Sequence, residues 1–307
     1  MTDAFEFPAL DLQAHRQGNT GIAYAHRLVA EIPGPTTLIT ALTHGNELCG
    51  AYALDRFLRQ GFRPVRGTLL LCIVNVDAYG RFDPASPCNS RFVDEDLNRL
   101  WSPAILDSER QSVELARARA IRPLVEEADF LLDLHSMQSE CPALTLCGVL
   151  PRSLDLALRV GGPRHLVVDA GHRAGPRMRD HGGFADPVSH KTALLVECGR
   201  HGSLSSVAVA HEVSRRFLAA VGMTDAAVAP CRDPLVIDVV QAVTVESERF
   251  RFAESYRGLE CIAKAGTLIA HDGERAVRTP HDECVLIMPG RDLKPGQTAV
   301  RLGRYRR

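Results

Sequence analysis

From Gly21 to about Val221, short unbroken apolar runs alternate with stretches whose apolar residues recur every three or four positions. Runs of the first kind fit strands buried on both faces, and the second kind fits helices with one buried stripe. The pattern predicts strands over Ile22 to Val29, Thr36 to Leu42, Thr68 to Val74, Phe130 to Leu134, Ala143 to Cys147 and Thr192 to Cys198. It predicts helices over Glu47 to Arg59, Ser108 to Glu127, Leu154 to Val160 and Val207 to Val221. "GFRPVRG" and "NVDAYGRFDPASPCNS" are punctuated by Gly, Pro and Asn and read as loops, the second long enough to suggest a functional one. Alternation of this kind indicates an α/β class, with strands and helices in layers.

After Gly222 the texture changes. "MTDAAVAPCRDP" reads as a linker, and the remainder is β-branched, alternating and cut by turns, with Asp272-Gly273 between two strand-like runs as a hairpin signal. We therefore expect an α/β domain over 1–228 and a smaller all-β domain over 229–307.

Composition changes this picture little. The 307 residues are 45% hydrophobic and 24% charged, with a formal net charge of -1, an ordinary globular balance. Neither nucleic acid nor a membrane surface is expected as partner, since both favour a basic excess. "MTDAFEFPAL" has no leader pattern and no apolar run reaches membrane-spanning length, so a cytoplasmic protein is expected. The nine cysteines form no CxxC pair, which argues against a disulfide framework or a cysteine zinc site. GxSxG, GxGxxG and GxxxxGK[ST] are all absent, leaving serine hydrolase and nucleotide-binding readings without support.

The candidate chemistry lies at strand ends. "ALTHGNELCG" places His44 and Glu47 three apart directly after an apolar run. Alone these could be a turn histidine and a first-turn acid complementing a helix dipole. A catalytic zinc site, however, draws three protein ligands and keeps one position open. "ADFLLDLHSMQ" offers the third, His135, where another strand ends, and ligands bind outside the carboxyl ends of strands in open α/β sheets. Asp133, two residues earlier on the same strand face, is placed either to orient that imidazole or to serve another buried partner. In "KTALLVECGR" three apolar residues lead into Glu197, suited to take a proton from attacking water, or else to close a salt bridge at the strand end. "SRFVDEDLNRLW" gathers Arg91, Asn98 and Arg99, a set fitted to bind carboxylates, or to form the salt bridges of an exposed helix start. Trp101 is expected to pack that segment down. Six histidines between 165 and 211 stand seven to eleven residues apart, fit no ligand motif, and are assigned to loop and surface.

Taken in order, HxxE in "THGNE", RxxxxDxNR in "RFVDEDLNR", "DLHS" and "VECG" resemble the succinylglutamate desuccinylase and aspartoacylase family, within the wider zinc carboxypeptidase fold. The resemblance covers nearly the whole chain, including the closing "CVLIMPGRDLKPGQTAVRLGR". It implies one zinc ion per subunit on His44, Glu47 and His135, with Glu197 as general base and then acid. Arg91 is implied to stabilise the oxyanion, and Asn98 with Arg99 to grip a substrate carboxylate. It also implies a mixed central sheet flanked by helices, a small carboxylate-bearing amide as substrate, a β domain partly covering the cleft, and a homo-oligomer. The chain departs from the family where aspartoacylase has a further substrate arginine, because Pro187 stands there, and at the matching place late in the β domain Gly and Pro stand instead of the family's tyrosine. "GPRMRDHGGF" offers Arg177 or Arg179 as replacement, and Arg179 is taken as a substrate-binding residue. The rival readings are a metallocarboxypeptidase acting on short peptides and a non-catalytic zinc protein.

Overall fold

A computed structural model describes residues 5–307. Strands β1 (Ala25–Val29), β2 (Thr36–Ala41), β3 (Thr68–Ile73), β4 (Phe130–Met137), β5 (Leu144–Leu146), β6 (His165–Val168) and β7 (Thr192–Arg200) interleave with six helices. These are α1 (Cys49–Arg59), α2 (Val76–Tyr79), α3 (Pro103–Leu106), α4 (Val113–Glu127), α5 (Pro151–Val160) and α6 (Leu204–Ala220). Every regular element after α6 is a strand: β8 (Leu235–Thr244), β9 (Phe250–Phe252), β10 (Glu260–Ile262), β11 (Leu268–Asp272), β12 (Arg275–Arg278), β13 (Cys284–Ile287) and β14 (Thr298–Tyr305).

Eleven strands form one mixed sheet in the order β1-β3-β2-β4-β7-β5-β6-β8-β14-β13-β10, and β12-β11-β9 form a small antiparallel sheet. At the centre β3, β2, β4 and β7 run parallel. Their alternate side chains enter opposite cores: Ile39, Leu132 and Leu194 pack towards α1, α5 and α6, while Leu38, Leu131 and Ala193 pack towards α4. Burial on both faces explains why these strands read as continuous apolar runs. The sheet runs on into the C-terminal segment because β6 pairs in parallel with β8, which pairs with β14. Among the described residues no helix is long and apolar enough to cross a membrane.

Several boundaries differ from the sequence pattern, each for a local reason. Helix α4 starts at Val113 because the Ser112 side chain caps it by accepting from Leu115 N. Glu47 precedes α1, which begins at Cys49. Strand β4 does not stop at Leu134 but continues through Met137, and β7 extends to Arg200, so His135 and Glu197 stand side by side in parallel register within the sheet. The Asp272-Gly273 turn is present, with Asp272 paired to Arg275 across it and Gly273 at φ 61°.

Candidate active site

The chain leaves β2 through Leu42, which takes a left-handed φ of 56°, and His44 to Glu47 follow at once. Gly45 is required by close approach, since a Cβ there would stand 2.4 Å from the carbonyl oxygen of Ser90 and 2.5 Å from the amide of Tyr79. Its own N–H donates to the Arg91 carbonyl at 3.0 Å, which fastens the HGNE turn to the segment that carries the arginine.

His44, Glu47 and His135 converge, all buried, with one ligand atom from each lying within 4.8 Å of the others. Glu47 Oε1 is 2.8 Å from His44 Nδ1, and its Oε2 is 2.8 Å from His135 Nδ1. The outer nitrogens meet carboxylates: His44 Nε2 lies 2.9 Å from Asp96 Oδ1, and His135 Nε2 lies 2.8 Å from Asp133 Oδ2. Asp133 is oriented in turn by the hydroxyls of Thr40 and Thr43, which donate to its Oδ1 at 2.8 and 2.9 Å. Each imidazole thus offers Nδ1 inward with its tautomer set by an outer carboxylate, the usual support of a histidine metal ligand. Burial opposes a charge on His135, but Asp133 and Glu47 outweigh it and raise its pKa well above the ordinary value. Surroundings this negative suit a divalent cation, and two nitrogens with one carboxylate oxygen form a donor set suited to zinc.

Glu197 lies beside this cluster, buried, and its Oε2 has no hydrogen-bond partner among the described residues. Burial, followed by the charge of Glu47, pushes its pKa up to about 8. Arg91 donates from Nη1 to Glu47 Oε1 at 3.3 Å and from Nη2 to Asp96 Oδ2 at 3.2 Å, and Nη2 also stands 3.0 Å from His44 Nε2. Asn98 accepts from Met178 N at 2.8 Å, and its Nδ2 lies 3.4 Å from His135 Nε2. Arg99 donates to the Asn98 carbonyl, and its Nη2 is 3.2 Å from His172 Nε2. Burial lowers the Arg99 pKa to about 10, with Arg91, Arg301 and Arg177 adding to the fall against Asp96. Trp101 is buried and packs edge-on against His181, in keeping with a packing role.

Arg179 is not brought into this group. Its Nη1 donates to Asp180, and its Nη2 donates to the carbonyls of Cys147 and Ala193, so its guanidinium ties the loop to β7. The histidines at 172, 181 and 201 correct the surface assignment. His181 and His201 are buried, the latter 2.7 Å from Ser136 Oγ, and His172 lies between Arg99 and Arg301. Three further residues had no motif to reveal them, and a fourth, Asp96, is the aspartate of RxxxxDxNR, to which no role was assigned. Asp96 orients His44, and Arg301 approaches from β14 with His172 against it. Glu114, in the first turn of α4, accepts from the amides of Val93, Asp94 and Glu95 and from Asn75 Nδ2, which holds the arginine segment in place. A glutamate two places after a helix-capping serine was the one available signal for that contact.

Residues 33–172 match the family profile of the succinylglutamate desuccinylase/aspartoacylase catalytic domain. A probable aspartoacylase of Parasynechococcus marenigrum (strain WH8102) is 34% identical over 139 residues, 43% of this chain and 44% of that protein. A succinylglutamate desuccinylase of Burkholderia lata is 25% identical over 294 residues, covering 88% of this chain and 79% of the relative. The crystal structure of succinylglutamate desuccinylase from Vibrio cholerae shares the fold, with a TM-score of 0.70 at 18% identity over 92% of this chain and 91% of that one. Residues 33–172 are thus similar to the succinylglutamate desuccinylase/aspartoacylase catalytic domain, and the chain as a whole shares the fold of the solved desuccinylases.

Proposed function

We propose that this protein hydrolyses the amide bond of a small N-acyl amino acid, or of a related carboxylate-bearing amide, using one zinc ion per subunit held by His44, Glu47 and His135. The observation that carries the reading is the meeting of these three buried side chains beside Glu197 and Arg91. When bound, such an ion supplies Lewis acidity towards water and a carbonyl oxygen. Glu197 takes the proton of the attacking water and returns it to the leaving nitrogen. A carboxylate whose proton affinity is raised towards neutrality is suited to both transfers. Arg91 meets the charge that develops on the carbonyl oxygen, and its anchoring by Asp96 and Glu47 aims it before the reaction begins. Asn98 and Arg99 hold a substrate carboxylate. Residues 229–307 act as a β domain that partly covers the cleft and restricts it to small substrates, a role supported by the approach of β14 to the loop after β6.

Metal analysis of the purified protein, with a mass-spectrometric screen of N-succinyl, N-acetyl and N-formyl amino acids and short peptides, tests this reading. Glu197→Gln is expected to retain metal while losing about 10²- to 10⁴-fold in turnover. Trimming of peptides with no cleavage of any N-acyl amino acid would replace the proposal with a carboxypeptidase.

A further inference from the structure

The buried arginines between β6 and β14 carry more positive charge than their own carboxylates neutralise. Arg177 Nη1 donates to Asp169 Oδ2 at 2.9 Å, and Arg301 Nε stands 3.2 Å from the same oxygen without the alignment of a hydrogen bond. Asp180 in turn receives both Arg177 and Arg179. Three guanidiniums therefore divide two carboxylates. Arg99 lies 3.7 Å from Asp96, which already receives Arg91 and His44.

What Arg99 and Arg301 share is a neutral ring. Arg301 Nη2 donates to His172 Nε2 at 2.6 Å, and Arg99 Nη2 is 3.2 Å from the same nitrogen. Burial, with Arg301, Arg99 and Arg177 acting in the same direction, lowers the His172 pKa. The ring therefore offers one lone pair to two cationic forks. Arg301 is only 3% exposed, yet among the described residues its Nη1 makes no hydrogen bond and its Nε has no aligned partner. A guanidinium this buried calls for an anion. Two donors that meet at one nitrogen stand within about two hydrogen-bond lengths of each other, a span that the oxygens of a single carboxylate can bridge. Glu197 lies near enough to act electrostatically on both Arg301 and Arg91, which ties the arginine pair to the reaction site.

We propose that Arg301, carried on β14, joins Arg99 as the second arm of a clamp for a substrate carboxylate, so that the C-terminal strands select acidic substrates directly. The inference rests on the proposed function for the bond that is cleaved, while the clamp itself requires only a carboxylate. Arg301→Gln and Arg301→Lys test it in two ways: titration calorimetry with L-glutamate and succinate as probes and succinamide as the uncharged control, and kinetics with N-succinyl-L-glutamate and N-acetyl-L-aspartate.

In Arg301→Gln, carboxylate affinity should fall and KM rise by about 10- to 100-fold, with kcat falling much less, as expected for loss of a charge-assisted pair. Arg301→Lys keeps the charge but loses the fork, and should fall between. If the glutamine variant does not fold, the lysine variant decides, with an expected weakening of about fivefold or more. Unchanged carboxylate binding and KM in a folded variant would overturn the clamp, as would a loss of kcat alone. Should the parent protein cleave no N-acyl amino acid yet bind L-glutamate through Arg301, the proposed function fails and the clamp stands. If it neither cleaves these amides nor binds these carboxylates, both fail.

Discussion

Two buried charge clusters lie on either side of the RFVDEDLNR segment, and they are built with opposite excess. Around His44 and His135, the carboxylates of Glu47, Asp96 and Asp133 surround two imidazoles, a negative setting that suits a cation. Around His172, the guanidiniums of Arg99, Arg177, Arg179 and Arg301 outnumber Asp169 and Asp180, a positive setting that suits an anion. Burial penalises both arrangements. The same low-polarity surroundings that make an unbalanced charge costly also make a complementary ligand bind strongly, so each imbalance points to what it receives. Asp96 joins the two, touching His44 on one side and lying 3.7 Å from Arg99 on the other.

The comparison breaks most sharply at Glu47. Glu47→Gln removes the one carboxylate that touches both imidazoles, and should empty the site of metal and cut turnover by more than about a thousandfold, since Lewis acid and activated water are lost together. Full metal content by mass spectrometry in that variant would remove the basis for a cation cluster. Arg91→Ala should lower kcat by about 10²- to 10³-fold with a smaller change in KM, the signature of a contact made mainly in the transition state. An equal loss in KM with kcat preserved would move Arg91 to the anion cluster.

The smallest effect is on stability. Burial opposes a charge on Asp180, but Arg177 and Arg179 outweigh it and hold its pKa below the ordinary value. A depressed carboxylate stabilises the fold above its unfolded pKa of about 3.9, and that contribution is lost as pH falls through the lower folded value. Asp180→Asn should therefore cost about 3 kcal/mol at pH 7 in urea unfolding and about 1 kcal/mol less at pH 3, where the unfolded carboxyl is mostly protonated while the folded one still carries charge. An undiminished penalty in acid would show that Asp180 acts by packing.

Periodicity reached far into this molecule because the central strands are buried on both faces. Leu38 and Ile39, or Leu131 and Leu132, serve different cores, so the runs Thr36 to Leu42 and Phe130 to Leu134 are apolar throughout and easily located. The end of β4 was harder, because a functional residue continues the strand: His135 is a polar group in a ladder position, where local pattern reads a boundary, whereas Glu197 falls inside the expected strand Thr192 to Cys198. The cluster of His44, Glu47 and His135 was legible because these residues follow the apolar cores of β2 and β4, two strands that are neighbours in the sheet. Asp133 could be placed by strand alternation, and its 2.8 Å contact with His135 follows from that alternation.

The anion cluster was not legible in the same way. Arg179 stands in the loop that suggested it, but its donors face Cys147 and Ala193, a direction that no spacing encodes. Arg301 is one arginine among several in "RLGRYRR" and joins the site only because β6, β8 and β14 are neighbours in the sheet. His172 and Glu114 likewise acquire their contacts from a loop and a helix that meet distant segments.

What the sequence by itself determined is the longer elements of the α/β region and the grouping of His44, Glu47 and His135 as candidate ligands, because alternation and strand-end placement act over a few residues and leave a periodic trace, whereas α2, α3 and β6 are too short to leave one. Which charges face one another across the sheet was decided by the tertiary structure alone. That choice depends on strand order and on the direction of long side chains, and a guanidinium some 7 Å from its backbone can turn towards a carbonyl, a carboxylate or a substrate without changing any local pattern.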